Sequence, residues 1–276
     1  MSAVPAGSLY VVSTPIGNLA DLSPRAIDVL KGVTTILAED TRHSRPLLAH
    51  FGIRTRLESY HEHNEARVAA KTVARLSAGE SVALISDAGT PLVSDPGARL
   101  VGAAIAAGIA VIPIPGASAL LAAVVGAGLP ADRFTFFGFL ERKGKLRAEA
   151  IADIVTLRHT AVLYEAPGRV GALLAGLRDA GAGDRPGVVA RELTKQYEEF
   201  ARGSVADLAD RFAESAPRGE VVVLIGRAPD RTVDEAALRE RAAALSSEGL
   251  SAREVARVLS TECGASRNQA YRIAHE

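Results

Sequence analysis

The chain has 276 residues, 48% apolar and 23% charged, with 32 basic and 32 acidic side chains and a formal net charge of zero. This ordinary globular balance excludes a global electrostatic attraction to nucleic acid or membrane and leaves only local patches for such partners. No apolar run approaches the roughly 20 residues of a membrane-spanning helix, the opening MSAVPAGSLYVVSTP lacks the pattern of a signal peptide, and the single Cys263 can close no internal disulfide; a cytoplasmic protein is expected.

Residues 9–13 form a short apolar run ending in turn residues, the mark of a buried strand. Ser23-Pro24 then opens a helix to about Lys31, with proline near its first position. Residues 34–38 read as a second strand, which runs into Glu39-Asp40-Thr41-Arg42-His43 and a helix to about Phe51. Residues 62–76 carry helical spacing, 81–85 read as a third strand, 94–107 as a helix and 110–114 as a fourth strand. Pro115-Gly116 leads into a helix of small residues ending near Gly126. Strands alternating with helices predict a parallel α/β sheet.

The pattern changes near residue 130. Strands are expected at 133–139, 160–164, 187–191, 196–203 and 220–225, with helices at 143–157, 168–180 and 204–213 between them. This describes a second α/β lobe with a mixed sheet. A linker is expected at 226–232, containing Pro229, followed by helices at 234–246, 251–261 and 266–275, punctuated by Gly249 and Gly264. Ser251 with Glu254, and Ser266 with Gln269, have the spacing of capping boxes. The predicted organisation is an N-terminal α/β lobe over 1–128, a second α/β lobe over 129–228 and a helical appendage over 229–276.

Several strands end in loops of small and turn residues: Ser13 to Asn18, Ser86-Asp87-Ala88-Gly89-Thr90-Pro91, Pro113 to Ser118 and Tyr164 to Gly168. Ligands of open α/β sheets bind beyond the carboxyl ends of the strands, and small residues there let them approach the backbone. One such loop is usually just a turn; four of them point to a shared cleft. The chain has no G-x-x-x-x-G-K-[ST] phosphate loop. Residues 126–131, GAGLPA, fit a dinucleotide fingerprint by spelling alone, because they follow a helix and Pro130 spoils the next helix start. With no lysines gathered at the main loops, the expected ligand carries little negative charge. S-adenosylmethionine suits such a cleft: it has no phosphate, and backbone groups and a carboxylate can hold it. Asp87 can bond its ribose or ammonium group, or serve only as a turn aspartate; backbone contacts from Ala88 and Gly89 are the firmer expectation.

His61-Glu62-His63 has the look of a metal-ligand cluster, but the spacing suggests no third ligand and reads better as a solvated helix start. No metal is expected. Two of the five lysines fall in Arg142-Lys143-Gly144-Lys145-Leu146-Arg147, where Lys143, Lys145 and Arg147 can contact an RNA backbone from a loop or form a solvated charge run.

The segments YVVSTPIGNLADLSPRA, ILAEDTRHS, LISDAGTPLVSDPG, IPGASA, FGFL, LYEAPGRV and GEVVVLIG cover most of residues 9–226. Together they resemble the tetrapyrrole methylase superfamily, and within it the branch of ribosomal small-subunit RNA 2′-O-methyltransferases. The resemblance implies two α/β lobes folding S-adenosylmethionine into the cleft between them, a homodimer, and transfer of methyl to the ribose of a cytidine at the decoding site of 16S rRNA. It places Pro15, Gly17 and Asn18 in the superfamily's first loop, Gly89-Thr90-Pro91 where relatives carry Gly-Asp-Pro, and Ser118 and Ala119 in its Pro-Gly loop. Tyr164, Glu165 and Ala190 fall where the second lobe meets the cofactor. For the chemistry it leaves Glu39, Asp40, Arg42 and His43: a carboxylate to take the hydroxyl proton and an arginine whose planar fork suits phosphate. The bland alternative is a helix start with acids favoured by the dipole. Arg253, Arg257, Arg267 and Arg272 of the helical appendage are candidates to face RNA. A tetrapyrrole-type methyltransferase and a non-catalytic RNA-binding module are the competing expectations.

Overall fold

The structure, a computed structural model, describes residues 6–229, 234–263 and 265–276. The end of the expected linker and Gly264 lie outside them. The chain divides into two compact units, Met1–Arg227 and Ala228–Glu276.

The first unit holds two five-stranded sheets. In the first, β1 (Leu9–Val12), β2 (Thr35–Ala38), β3 (Arg56–Ser59), β4 (Val82–Ile85) and β5 (Val111–Ile114) run in the order β3-β2-β4-β1-β5. Every pair is parallel, so all carboxyl ends share one edge. Alternating side chains face opposite cores. Tyr10, Val12, Ile36, Ala83 and Ile85 pack under α1 (Pro24–Gly32) and α2 (Thr41–His50), whereas Leu9, Leu37, Val82 and Leu84 pack under α3 (Glu65–Ser77) and α4 (Ala98–Ala106). Burial on both faces is why these strands read as unbroken apolar runs.

Two elements differ from the sequence expectation. β3 was absent from it: Arg56-Leu-Glu-Ser59 is a partly exposed edge strand with a single apolar residue, so neither a run nor an apolar alternation marks it. α4 begins at Ala98 rather than near 94. Leu92 and Ser94 hold φ of 73° and 65°, and Gly97 holds 142°. The chain therefore loops back over the sheet edge before the helix starts, and this loop carries Asp95.

The second sheet joins β6 (Phe134–Phe139), β7 (Thr160–Glu165), β8 (Pro186–Arg191), β9 (Glu199–Ser204) and β10 (Val221–Ile225) in the order β6-β7-β10-β8-β9. β6 and β7 are parallel and the remaining pairs antiparallel, giving the expected mixed sheet. Its outer face packs against α6 (Lys145–Thr156), α7 (Val170–Leu177) and α8 (Val205–Arg211). Its inner face, with Val162, Val188, Ala190, Val222 and Leu224, is covered by α5 (Ala119–Ala127) and by Ile16 from the first lobe. One apolar core thus ties the lobes together. The GAGLPA spelling is explained here: a Cβ on Gly126 would run into the Phe200 ring, and Gly128 ends α5 in the left-handed conformation at φ 76°.

The second unit comprises α9 (Glu235–Ser247), α10 (Ala252–Thr261) and α11 (Arg267–Ile273) around Leu238, Leu245, Val255, Leu259 and Ile273. Glu254 accepts from the Ser251 backbone N–H at 2.9 Å, and Ser266 Oγ accepts from Gln269 N–H at 3.2 Å. Among the proposed RNA-facing arginines, Arg272 is committed within the unit, paired with Glu235 and Glu276 at 2.6 and 3.1 Å.

Candidate active site

The carboxyl edge of the parallel sheet and the ends of β7 and β10 enclose a cavity of about 460 Å³. Its walls include Ile16, Glu39, Asp87, Ala88, Gly89, Thr90, Val93, Asp95, Ser118, Ala119, Phe139, Tyr164, Glu165, Leu193 and Glu220. A second cavity, of about 610 Å³, is lined by Pro15, Leu19, Arg42, His43, Pro46, Leu47, His50 and Lys195. Ile16, Asp87, Ala88 and Glu220 border both cavities. The two are therefore neighbouring compartments with a common wall.

Local hydrogen bonds fix that wall. Thr14 and Gly89 exchange backbone bonds, Thr14 N–H to Gly89 C=O at 2.8 Å and Gly89 N–H to Thr14 C=O at 3.0 Å. Ser86 Oγ also donates to the Gly89 carbonyl at 2.9 Å, and Thr90 Oγ1 donates to the Ala117 carbonyl at 3.1 Å. This corrects one expectation: the Gly89 amide is consumed by Thr14 and cannot serve a ligand. Gly89 contributes room instead, since a Cβ there would sit 3.2 Å from Ile16 Cγ2, at a φ of 81° that disfavours other residues. Ser118 caps α5, accepting from Leu121 N–H at 3.4 Å, and so presents the start of that helix to the cavity. The Tyr164 hydroxyl accepts from Leu120 N–H at 3.1 Å, which holds its ring as a wall beside Phe136 and Phe139.

The cavity is acidic. Glu39, Asp87 and Asp95 converge on it, and burial among like charges favours protonation of Glu39 and Asp95. Burial, with Glu39 and Asp87 beside it, pushes the Asp95 carboxyl up to about 7. Burial and Asp87 also raise Glu39, opposed by the His61 ring. Such a group of carboxylates favours a cation. Asp95 was missed at the sequence level. It stood within LISDAGTPLVSDPG, but only the folded-back 92–97 loop shows that it meets Glu39 and Asp87.

Some expected site residues stand elsewhere. Pro15 lines the second cavity and not the first. Ala190 lies fully buried in the inter-lobe core beneath the site, where no ligand reaches it. Asp40 borders neither cavity. It caps α2 by accepting from Arg42 N–H at 2.8 Å and pairs with the exposed Arg42 side chain, also at 2.8 Å. The Arg42 guanidinium, together with its backbone N–H, holds the Asp40 carboxyl down at about 2, so it is a poor proton acceptor near neutrality. Glu165 does stand on the first cavity's wall, but as a buried clamp, 3.1 Å from Arg169 and 3.9 Å from Arg147, and it accepts from Ala166 N–H at 2.9 Å. Arg147 therefore faces inward, bonding the Glu141 carbonyl at 3.2 Å, and is not a free RNA contact. Lys143 is exposed, and Lys145 opens α6 with an exposed pair to Glu149 at 3.4 Å.

Two α/β lobes closing on one acidic cavity, with a parallel sheet delivering the loops, define a two-lobed α/β fold with a ligand cleft between its sheets. Residues 8–209 match the Tetrapyrrole (Corrin/Porphyrin) Methylases family. The chain is 45% identical over 273 residues to "Ribosomal RNA small subunit methyltransferase I" of Synechocystis sp., covering 98% of each chain. It is 46% identical over 267 residues to the protein of the same name from Xylella fastidiosa, covering 96% of this chain and 98% of that one. Among solved structures, a uroporphyrin-III C-methyltransferase from Thermus thermophilus, complexed with S-adenosyl homocysteine, superposes with a TM-score of 0.57 at 20% identity, over 79% of this chain and 97% of the other. The chain belongs to the tetrapyrrole methylase family and, within it, to the ribosomal RNA small subunit methyltransferase I proteins.

Proposed function

We propose that the protein transfers a methyl group from S-adenosylmethionine to the 2′-oxygen of a cytidine ribose in the decoding region of 16S rRNA. The observation that carries this reading is the pair of joined compartments: an acidic, partly apolar one for the cofactor, and one edged by Arg42, His43 and His50 for the acceptor nucleotide.

The first cavity fits the cofactor. Its volume lies within the common range for small-molecule sites, and its carboxylates are relieved of repulsion by a ligand bearing a sulfonium and an ammonium. Asp95 and Asp87 would hold those charges. Ile16, Val93, Leu193 and the Tyr164 ring offer apolar surface to an adenine, and Ala88, Ser118 and Ala119 border it closely. When bound, S-adenosylmethionine supplies an electrophilic methyl group on its sulfonium. The protein's task is to orient the acceptor hydroxyl in line with that methyl and to take its proton. Glu39 is the acceptor for the proton: it lines the cofactor cavity, and burial raises its basicity, whereas Arg42 weakens that of Asp40. Arg42, with a side chain 90% exposed at the mouth of the second cavity, is placed to exchange Asp40 for an RNA phosphate.

The RNA surface extends to Lys143 and Lys145. A double substitution to Ala should weaken binding to small subunits and lower the steepness of its salt dependence, with each lost phosphate contact reducing the log–log slope by about 1. Unchanged binding from low to high salt would remove this pair. The helical second unit is a further RNA-docking element, with Arg253, Arg257 and Arg267 exposed on it. The protein acts in the cytoplasm as a homodimer, for which the exposed Leu121 and Val125 on α5 offer an apolar face.

The test is transfer of labelled methyl to three acceptors: isolated small subunits, naked 16S rRNA and a porphyrinogen. Label on the subunits supports the reading, label on the porphyrinogen points to small-molecule chemistry, and cofactor binding with no transfer to any of them points to a binding module.

A further inference from the structure

His61-Glu62-His63 lines neither cavity, and its first residue is not a solvated helix start. α3 begins only at Glu65, and His61 Nδ1 is buried. The parallel register sets Ala38 of β2 beside Ser59 of β3, and Tyr60 N–H donates to the Ala38 carbonyl at 2.8 Å. Glu39 and His61 therefore leave the sheet on adjacent strand ends.

Asn64 determines which ring nitrogen carries the proton. Its Oδ1 accepts from the His61 backbone N–H at 3.0 Å, and its Nδ2 donates to the Ser59 carbonyl at 3.1 Å. Two backbone partners thus fix the amide's orientation. The same Nδ2 lies 3.3 Å from His61 Nε2, so Nε2 accepts and the ring proton sits on Nδ1. That Nδ1–H is buried without an acceptor, an unfavourable arrangement that points to a missing partner. Asp87 and Asp40 favour protonation of Glu39, and a donor aimed at its carboxylate is what would hold it ionised. Asp95 is the remaining carboxylate coupled to Glu39, and the His63 ring, 5.9 Å away, is the neighbour of His61.

We propose that His61 is a positioning residue for methyl transfer, its Nδ1–H donating to the Glu39 carboxylate when substrates are seated and keeping it ionised and aimed at the acceptor hydroxyl. The proposal rests on the ribose-methylation reading. The proton leaves ribose O2′ for a Glu39 carboxylate oxygen, and the O–H electron pair forms the new O2′–CH3 bond as the methyl–sulfur bond breaks, its pair staying on sulfur. His61 gives up no proton in the step.

The experiment is a pH–rate profile on small subunits for the wild type, His61→Ala, His61→Gln and His61→Asn. The Asn amide reaches the place of Nδ1 and restores a donor. Gln reaches only the place of Nε2, keeping the contact with Asn64 without that donor. The Ala and Gln variants should lose kcat by about tenfold or more, the worth of one hydrogen bond to a charged group. KM for cofactor and subunit should hold. Their acid limb should move to higher pH, because Glu39 without the donor is harder to ionise among Asp40, Asp87 and Asp95. The Asn variant should recover most of the rate. A wild-type acid limb in the Gln variant, or an Asn variant as impaired as Gln, overturns the assignment even if the Ala variant fails to fold. A wild type that labels no subunit removes the ribose-methylation reading itself.

Discussion

Replacing Asp95 by Asn will weaken S-adenosylmethionine binding by about tenfold to a hundredfold, the value of a hydrogen bond to a charged group in free energy converted to affinity. In the apoprotein, burial, Glu39 and Asp87 bring the Asp95 carboxyl up to about 7. A cation in the cavity favours the ionised form, so binding expels the proton wherever one is present. Affinity should therefore fall as pH drops below about 7, with a limiting slope of one decade per pH unit. It should level off above that. In the Asn variant this segment of the profile should be flat. Titration calorimetry across pH reads both effects, and an Asn variant that binds as tightly as wild type would remove Asp95 from the cofactor site.

The same residue predicts a stability effect of opposite sign. For Asp95 the folded pKa lies above the unfolded one, so between the two the folded state holds more protons. Its contribution is present below the unfolded pKa and is lost as pH rises through about 7. At pH 8 the apoprotein thus carries an unrelieved repulsion that Asp95→Asn removes, and the variant should melt higher while binding cofactor worse. Such an exchange of stability for function is common at ligand sites.

Glu39→Gln carries the largest effect on rate. A positioned general base contributes about 10²- to 10⁴-fold, and the amide cannot accept the proton. The loss should fall on kcat, with the subunit KM little changed, because the acceptor nucleotide is held from the second cavity. In the wild type the rate should decline on the acid side as Glu39 protonates, at a pH raised from that of an ordinary glutamate by burial and Asp87. Asp40→Asn is the contrasting variant. Its carboxyl is pinned by Arg42 and borders neither cavity, so the acid limb should persist, moved only slightly to lower pH as one charge favouring Glu39 protonation is lost. Single-turnover rates across pH separate the two carboxylates.

The sequence made most of the fold legible because strands buried on both faces are continuous apolar runs and glycine-proline loops mark their ends. It concealed β3 because an exposed edge strand of Arg56-Leu-Glu-Ser59 has no such run. The late start of α4 was equally hidden, since non-glycine residues with positive φ at Leu92 and Ser94 have no local signature. The errors at the site share one cause. A loop motif gives the residues available to a ligand, but not which of them the fold has already engaged. Thr14 takes the Gly89 amide, Arg42 takes Asp40, and Glu165 draws Arg147 inward. Each partner is distant in sequence or competes locally with the expected contact, so periodicity and spacing do not reveal it. Asp95 was missed, and His61 read as part of a solvated helix start, for the converse reason: each becomes informative only beside carboxylates from other strands.

The most direct measurement is nucleoside analysis of 16S rRNA recovered from small subunits after incubation with the protein and methyl-labelled S-adenosylmethionine. The label should appear in 2′-O-methylcytidine, and should disappear with Glu39→Gln. Label carried on a base atom, or on a nucleoside other than cytidine, would contradict the account.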